Sequence, residues 1–238
     1  LISGNVRIKY LENTSTQTDV QDALNSASYD VVLLEGGAWG NNFTSDLTVP
    51  EGKKLWGGFW PGTLSSTSLP QLTFTGTAQL VVNNSEVEGL RLVFDAARTA
   101  DLISGANGRA HKIGVTTSDS AFHNYFAFSG SWKEIDIFDV RDLKGVDVNG
   151  ALLDPSTGPT VFRRFYIDAT NNANAQGFQL RGGAENVIIE EGYITAYTGI
   201  LNNGADQITA DTVTFTDCDS HGIQNLNQKI DFKYAGYN

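Results

Sequence analysis

The chain is 238 residues long, 40% hydrophobic and 18% charged, with a formal net charge of −11. That acidity argues against nucleic acid and anionic membrane surfaces as partners, and no run of about 18 apolar residues is available for membrane insertion. Glycine is abundant at 25 and proline scarce at 5, a mixture that makes many turns and few helices. The lone cysteine, Cys218, can close no internal disulfide and identifies no compartment. A start at Leu1 with no methionine anywhere predicts a processed product, a fragment or a trimmed form.

Val6, Ile8 and Tyr10 alternate with Arg7 and Lys9, the period of a strand. Residues 18–27 form the one convincing helix. Thr18 or Asp19 can cap it, and Val20, Ala23, Leu24 and Ala27 make its apolar stripe. Residues 31–34 read as a buried strand closed by Gly36 and Gly37, and residues 47–58 as strand, turn, strand. Residues 59–70 are a long loop carrying exposed aromatics. From there apolar runs recur in equivalent places, at 87–94, 113–116, 135–140, 162–167, 187–194 and 208–215. Corners rich in Asn and Gly separate them, at Asn83-Asn84, Asn107-Gly108, Asn149-Gly150 and Asn202-Asn203-Gly204. These residue types accept positive φ at little cost.

Glycine-plus-apolar marks punctuate the second half: Gly145-Val146, Gly177-Phe178, Gly199-Ile200 and Gly222-Ile223. The last three glycines are 22 and 23 residues apart, and the 32-residue gap before them holds an insertion at 153–159. A period in the low twenties, built from short strands, predicts a β-solenoid. The division is then a strand and capping helix over 1–29 and a solenoid of seven to eight coils over 30–238. The helix covers an end that would otherwise expose core and strand edges. The inward set includes Ile135, Ile137, Val146, Ile194, Val213 and Phe215. Trp39 and Trp56 fill the wide end of the core beneath the cap.

Residues 19–24, then 30–39, from Asp30 through Val31-Val32-Leu33-Leu34 and Gly36-Gly37 to Trp39, resemble the cap and first coil of the pectin-lyase-like right-handed parallel β-helices. Residues 47–57 resemble their second coil. The resemblance implies an all-β, single-stranded, right-handed parallel β-helix with an amino-terminal capping helix. It also implies membership of a superfamily that holds polysaccharide lyases, glycoside hydrolases, and bacteriophage tailspikes and fibres.

Catalytic motifs of those enzymes are missing. Polygalacturonase-like hydrolases carry Asn-x-Asp, Asp-Asp, Gly-His-Gly and Arg-x-Lys in order. Here Ser220-His221-Gly222 stands alone, and Arg7-Ile8-Lys9 lies at the wrong end. His221 precedes a repeat glycine where Lys144, Gln176 and Thr198 stand in other coils, a variable surface position. Asp217 and Asp219 can share a side with His221 and are the best remaining catalytic pair. Asp95, Asp139 and Asp168 follow core strands at similar points, which would suit Ca²⁺ if their oxygens converged; a solvated acidic face is the plainer reading. Phe59 and Trp60 offer aromatic surface for a glycan.

The expectation is therefore a non-enzymatic virion structural or attachment protein, a bacteriophage fibre, spike or head-decoration component at the virion surface or extracellular, binding polysaccharide and other virion proteins. The alternative is a polysaccharide lyase or glycoside hydrolase. Ile230, Phe232 and Tyr234 alternate in a last strand over 229–234 whose open edge a neighbouring copy would cover. Phe232 and Tyr234 are thus the assembly residues of an expected homotrimer.

Overall fold

The computed structural model describes residues 5–58, 68–94, 101–117, 126–129, 133–142, 149–153, 160–168, 176–181, 185–204, 206–216, 218, 220–225 and 230–237, with side chains over a narrower set. The first part runs β1 (Ile8–Leu11), α1 (Gln17–Asn25), β2 (Val31–Leu34), β3 (Gly37–Ala38), β4 (Leu47–Val49), β5 (Lys54–Trp56), β6 (Pro70–Phe74) and β7 (Leu80–Val82). The middle follows with β8 (Glu86–Phe94), β9 (Ile103–Ala106), β10 (Arg109–Thr117), β11 (Phe126–Ser129), β12 (Lys133–Asp142), β13 (Asn149–Leu153) and β14 (Thr160–Asp168). The last part is β15 (Gln176–Arg181), β16 (Glu185–Thr195), β17 (Thr198–Asn203), β18 (Asp206–Phe215), β19 (His221–Asn225) and β20 (Ile230–Tyr237).

One long parallel sheet runs β1-β2-β5-β8-β10-β12-β14-β16-β18-β20, and two shorter sheets, β11-β9-β7-β4 and β13-β15-β17-β19, form the other side. Each coil thus alternates between the long sheet and a short one, and the stacked coils make a β-solenoid. It has about six turns. At the amino-terminal end β5 and β6 both pair with β8.

The repeat is visible in register. Phe178, Ile200 and Ile223 lie side by side, so the marks at Gly177, Gly199 and Gly222 are equivalent. A Cβ on Gly177 would sit 2.5 Å from the Gly199 carbonyl oxygen, and one on Gly199 2.4 Å from that of Gly222. Glycine there is a packing requirement between coils. The fourth mark belongs elsewhere. Asn149 pairs with Gln176 and Ala151 with Phe178, so Gly150-Ala151 is the true equivalent of Gly177-Phe178. Gly145 and Val146 lie outside the described residues.

Among the residues whose side chains are described, the core is one cluster that reaches from Val20 and Leu24 of the cap to Val213 and Phe215. Ile194 and Phe215 are register partners and both are buried, as expected. Aromatic rings stack along its axis. Phe43, Phe74 and Phe94 follow one another at 5.1 and 5.2 Å between centroids, and Phe178 meets Phe162 at 4.9 Å and Phe165 at 5.2 Å. Trp39 is buried with them, whereas Trp56 is half-buried outside the core, with Lys54 Nζ 5.3 Å above its ring.

The long strands bend once, and the bend resets the alternation. Gly89, Lys112, Arg164, Glu191 and Thr212 all have φ between 49° and 68°. They occupy one column, skipped by the pairing on either side. Ile137 holds that place in β12. Phe138, not Ile137, takes the register of the buried Ile113 and Phe165. Alternation carried straight through 135–140 misses the corner residue.

Thr212 is the least suited residue in that column, because a β-branched side chain at φ 55° is strained. Its side chain is exposed and donates to the neighbouring Asp211. Thr212→Gly is expected to stabilise the fold by about 1 kcal/mol, the left-handed cost removed less the entropy glycine adds. That corresponds to a rise in Tm of roughly 2–4 °C. A fall in Tm on thermal denaturation would show that the strain is absent.

The cap begins two to three residues earlier than expected. Thr16, not Thr18 or Asp19, is the N-cap, and Asp19 closes a capping box with it. Val20, Ala23 and Leu24 are buried beneath. The polar side of α1 finishes the sheet edge. Gln21 donates from Nε2 to the Thr48 carbonyl at 2.9 Å and accepts at Oε1 from the Thr48 N–H at 2.8 Å. One turn earlier Gln17 accepts from the Thr44 N–H at 2.9 Å. Two amide side chains stand in for the strand that β4 lacks on that side. Beside the cap, β1 turns its apolar face outward: Val6, Ile8 and Tyr10 are 64%, 50% and 52% exposed, and Leu11 is the buried residue.

Candidate functional site

A groove of about 600 Å³ runs across the rungs at the amino-terminal half of the solenoid, lined among others by Val6, Asp30, Lys54, Asn84, Glu86 and Arg109. It follows the corners where the chain leaves the short sheet β4-β7-β9 and enters the long sheet at β5, β8 and β10. The corner residues Gly52, Asn84 and Asn107 all have positive φ. Two residues after each stands a charged side chain, Lys54, Glu86 or Arg109, and these are register partners.

The corners are tied rung to rung. The Gly52 N–H donates to the Asn84 carbonyl at 3.0 Å, the Asn84 N–H to the Ala106 carbonyl at 2.8 Å, and Asn107 Nδ2 to Asn84 Oδ1 at 2.8 Å. The charges are closed on one another. Lys54 Nζ lies 3.0 Å from Glu86 Oε1 and also bonds Glu88, whose other oxygen is 3.3 Å from Lys112 Nζ. Arg109 Nη1 is 3.9 Å from Glu86 Oε2. At the mouth, Asp30 accepts from the Arg7 guanidinium at 2.8 Å and from the Arg7 N–H at 2.9 Å.

These contacts set the protonation states. Hydrogen bonds from Arg7 hold the Asp30 carboxyl at a pKa of about 2. Burial pushes Glu88 upward, but Lys54 and Lys112 outweigh it and the net shift is down. Burial likewise pulls the Lys54 ammonium down, and its bonds to Glu88 and Glu86 carry it above its ordinary value. The stability from a carboxylate with a depressed pKa is present above its unfolded value and is lost as pH falls through the folded one. Tm should therefore hold from pH 7 down to about 5 and fall steadily between roughly pH 4 and 2. Asp30→Asn should flatten the part of that fall below pH 4 that Asp30 contributes; an unchanged acid profile would show that the Arg7 pair does not survive in solution.

The residues singled out from the sequence are distributed as follows. His221 opens β19 in register with Thr198, itself beside Gln176, as the repeat predicts. It is exposed, with Nδ1 2.7 Å from Ser220 Oγ. Asp217 and Asp219 lie outside the described residues, as do Phe59, Trp60 and Asp95. Asp139 pairs with Tyr166, whereas Asp168 pairs with Arg141 and Thr195, so these two acids stand in different columns. Among the described residues no group of three or more His, Cys, Asp or Glu could hold a metal ion. In β20 a register shift falls between Phe232, beside Ala210, and Tyr234, beside Asp211, so the two do not continue one alternating column. The groove itself went unread in the sequence. Its signal was there: a left-handed corner, one residue, then a charge, at 52–54, 84–86 and 107–109.

No protein-family description and no curated protein matches the chain. Among solved structures it is similar to tailspike protein 3 of bacteriophage CBA120, at 8% identity and a TM-score of 0.21, over 93% of this chain and 59% of that one. The chain thus spans less than two thirds of that tailspike, and at this likeness no function transfers.

Proposed function

We propose that this chain is a non-enzymatic structural or attachment protein of a virion surface, of the bacteriophage fibre, spike or head-decoration kind, which binds host-surface glycan. The rung-to-rung ion pairs of the long sheet support this reading: Lys54 bridges Glu86 and Glu88, and Glu88 also meets Lys112. The outer face spends its charges on rung-to-rung ion pairs, as at Arg163 and Glu190, 2.9 Å apart. Such a surface suits a rigid rod better than proton transfer.

In this reading the chain works as a homotrimer beside other virion proteins. Phe232 and Tyr234 would lie at the junction between copies, and Phe59 and Trp60 would add aromatic surface for the glycan. The test is native mass together with an activity assay. The expected result is a trimer that does not shorten acidic polysaccharide, with or without Ca²⁺, and whose Phe232→Ser/Tyr234→Ser variant dissociates before its coils unfold. A monomer at high concentration would overturn the assembly. Ca²⁺-dependent cleavage, or cleavage lost in His221→Ala, would overturn the non-enzymatic reading in favour of a lyase or hydrolase.

A further inference from the structure

We propose that the outer face of β14, β16 and β18, around Tyr166, Tyr193 and Glu191, docks an extended, arginine-bearing segment of another protein. This surface is separate from the groove, and its occupant does not depend on the virion reading.

Exposed aromatic surface is the first support. Past the corner column one register line of the long sheet runs Asp139, Tyr166, Tyr193, Thr214 and Gly236. Tyr166 and Tyr193 are 37% and 57% exposed, and the line then drops to small residues on the next two rungs. One exposed tyrosine is ordinary. Two on adjacent rungs of one face make the amphipathic aromatic surface that protein interfaces concentrate.

Charge selects the occupant. On the early rungs outer charges answer one another, Lys54 with Glu86 and Glu88, and Lys112 with Glu88. On the last rungs the register sets acid beside acid, Glu185 with Asp206 and Glu190 with Asp211. Like charges directly opposite are destabilising, so the fold gains nothing from that arrangement. Arg163 meets Glu190 at 2.9 Å, but residues 182–228 hold acids at 185, 190, 191, 206, 211, 217 and 219 and no Lys or Arg. A basic partner supplies the missing sign.

Glu191 joins the charge to the tyrosines. It is exposed in the corner column at φ 55° and precedes Tyr193 by two residues. Gly192 between them faces inward, where a Cβ would stand 2.3 Å from the Phe165 ring. Alternate residues of a strand stand roughly 6–7 Å apart. One arginine spans that gap, because its planar guanidinium both stacks on an aromatic ring and bonds a carboxylate.

The experiment is fluorescence anisotropy of two short labelled peptides, an Arg-Gly repeat and a Glu-Gly repeat, titrated with the whole chain at low and physiological salt. Tyr193→Thr copies its register partner Thr214, and Glu191→Lys copies Lys112 of the same corner column, so both keep the coil. Asp22→Lys makes the same charge change at an exposed position of α1, on the cap at the other end of the solenoid. Circular dichroism and Tm confirm that each variant folds. The expected result is Arg-Gly peptide bound by the parent, weakened roughly 3-fold in Tyr193→Thr, and weakened more in Glu191→Lys than in Asp22→Lys. Equal losses in Glu191→Lys and Asp22→Lys, with none in Tyr193→Thr, would reveal only diffuse attraction to an acidic chain and overturn the site. Glu-Gly peptide bound as tightly as Arg-Gly would overturn the basic partner. No binding by the parent at low salt, where screening is weakest, would overturn the docking surface.

Discussion

Phe215→Ala should lower the stability of the solenoid by about 3–5 kcal/mol, the loss expected for emptying a buried aromatic site. Phe215 is 1% exposed and stands beside Ile194 in the register of the long sheet. Its ring also roofs Gly199, where a Cβ would come within 2.4 Å of Phe215 Cδ1. The ring therefore fills the space across the coil between the long sheet and β17. Stacked strands cannot close over the void without bending both sheets, so the cavity persists and the cost stays at the upper end. Denaturant unfolding of the two proteins measures it. A loss below 1 kcal/mol would mean that the ring is outside the core and the register is wrong.

Gly105→Ala should be nearly as damaging for a different reason. Gly105 lies in β9 at φ +137°, and an added Cβ would stand 2.1 Å from the Val82 carbonyl oxygen and 2.8 Å from its nitrogen. Both obstacles are backbone of β7, the neighbouring rung, so no side chain can rotate out of the way. Strain at an unfavourable φ contributes roughly 1–3 kcal/mol and overpacking a similar amount, giving about 2–6 kcal/mol in all. Gly76→Ala is the control, with φ +63° but nothing within 4 Å of its Cβ. It should lose only the conformational part, about 1 kcal/mol. Hydrogen exchange would place the Gly105 effect in β7 and β9; equal losses for the two variants would show that φ alone, and not coil-to-coil contact, demands glycine at 105.

The contrast between these two sites explains what could be read from residues in order. A solenoid repeats, so its spacing is written into the chain: glycine every 22 or 23 residues, apolar runs between, Asn and Gly at the corners. Each coil is one supersecondary unit that buries its inner face only by stacking, which is why that pattern sufficed for the all-β solenoid and its one short helix. Local alternation also placed Ile194, Val213 and Phe215 in the core. Where a corner interrupts a strand, alternation fails, because one left-handed residue flips the faces. That is why Phe138, and not Ile137, stands in register with Ile113 and Phe165.

The groove lay beyond such reading because its parts are local to nothing. Lys54, Glu86 and Arg109 are 23 to 32 residues apart in the chain and adjacent only after stacking. The same is true of the ion pairs that set the pKa values of Asp30 and Glu88, and of the amides of Gln17 and Gln21 that close the edge near β4. Periodic apolar spacing is a property of the chain; which polar groups face one another across rungs depends on register. Register is decided by corners and close contacts between coils, and those exist only in the folded protein.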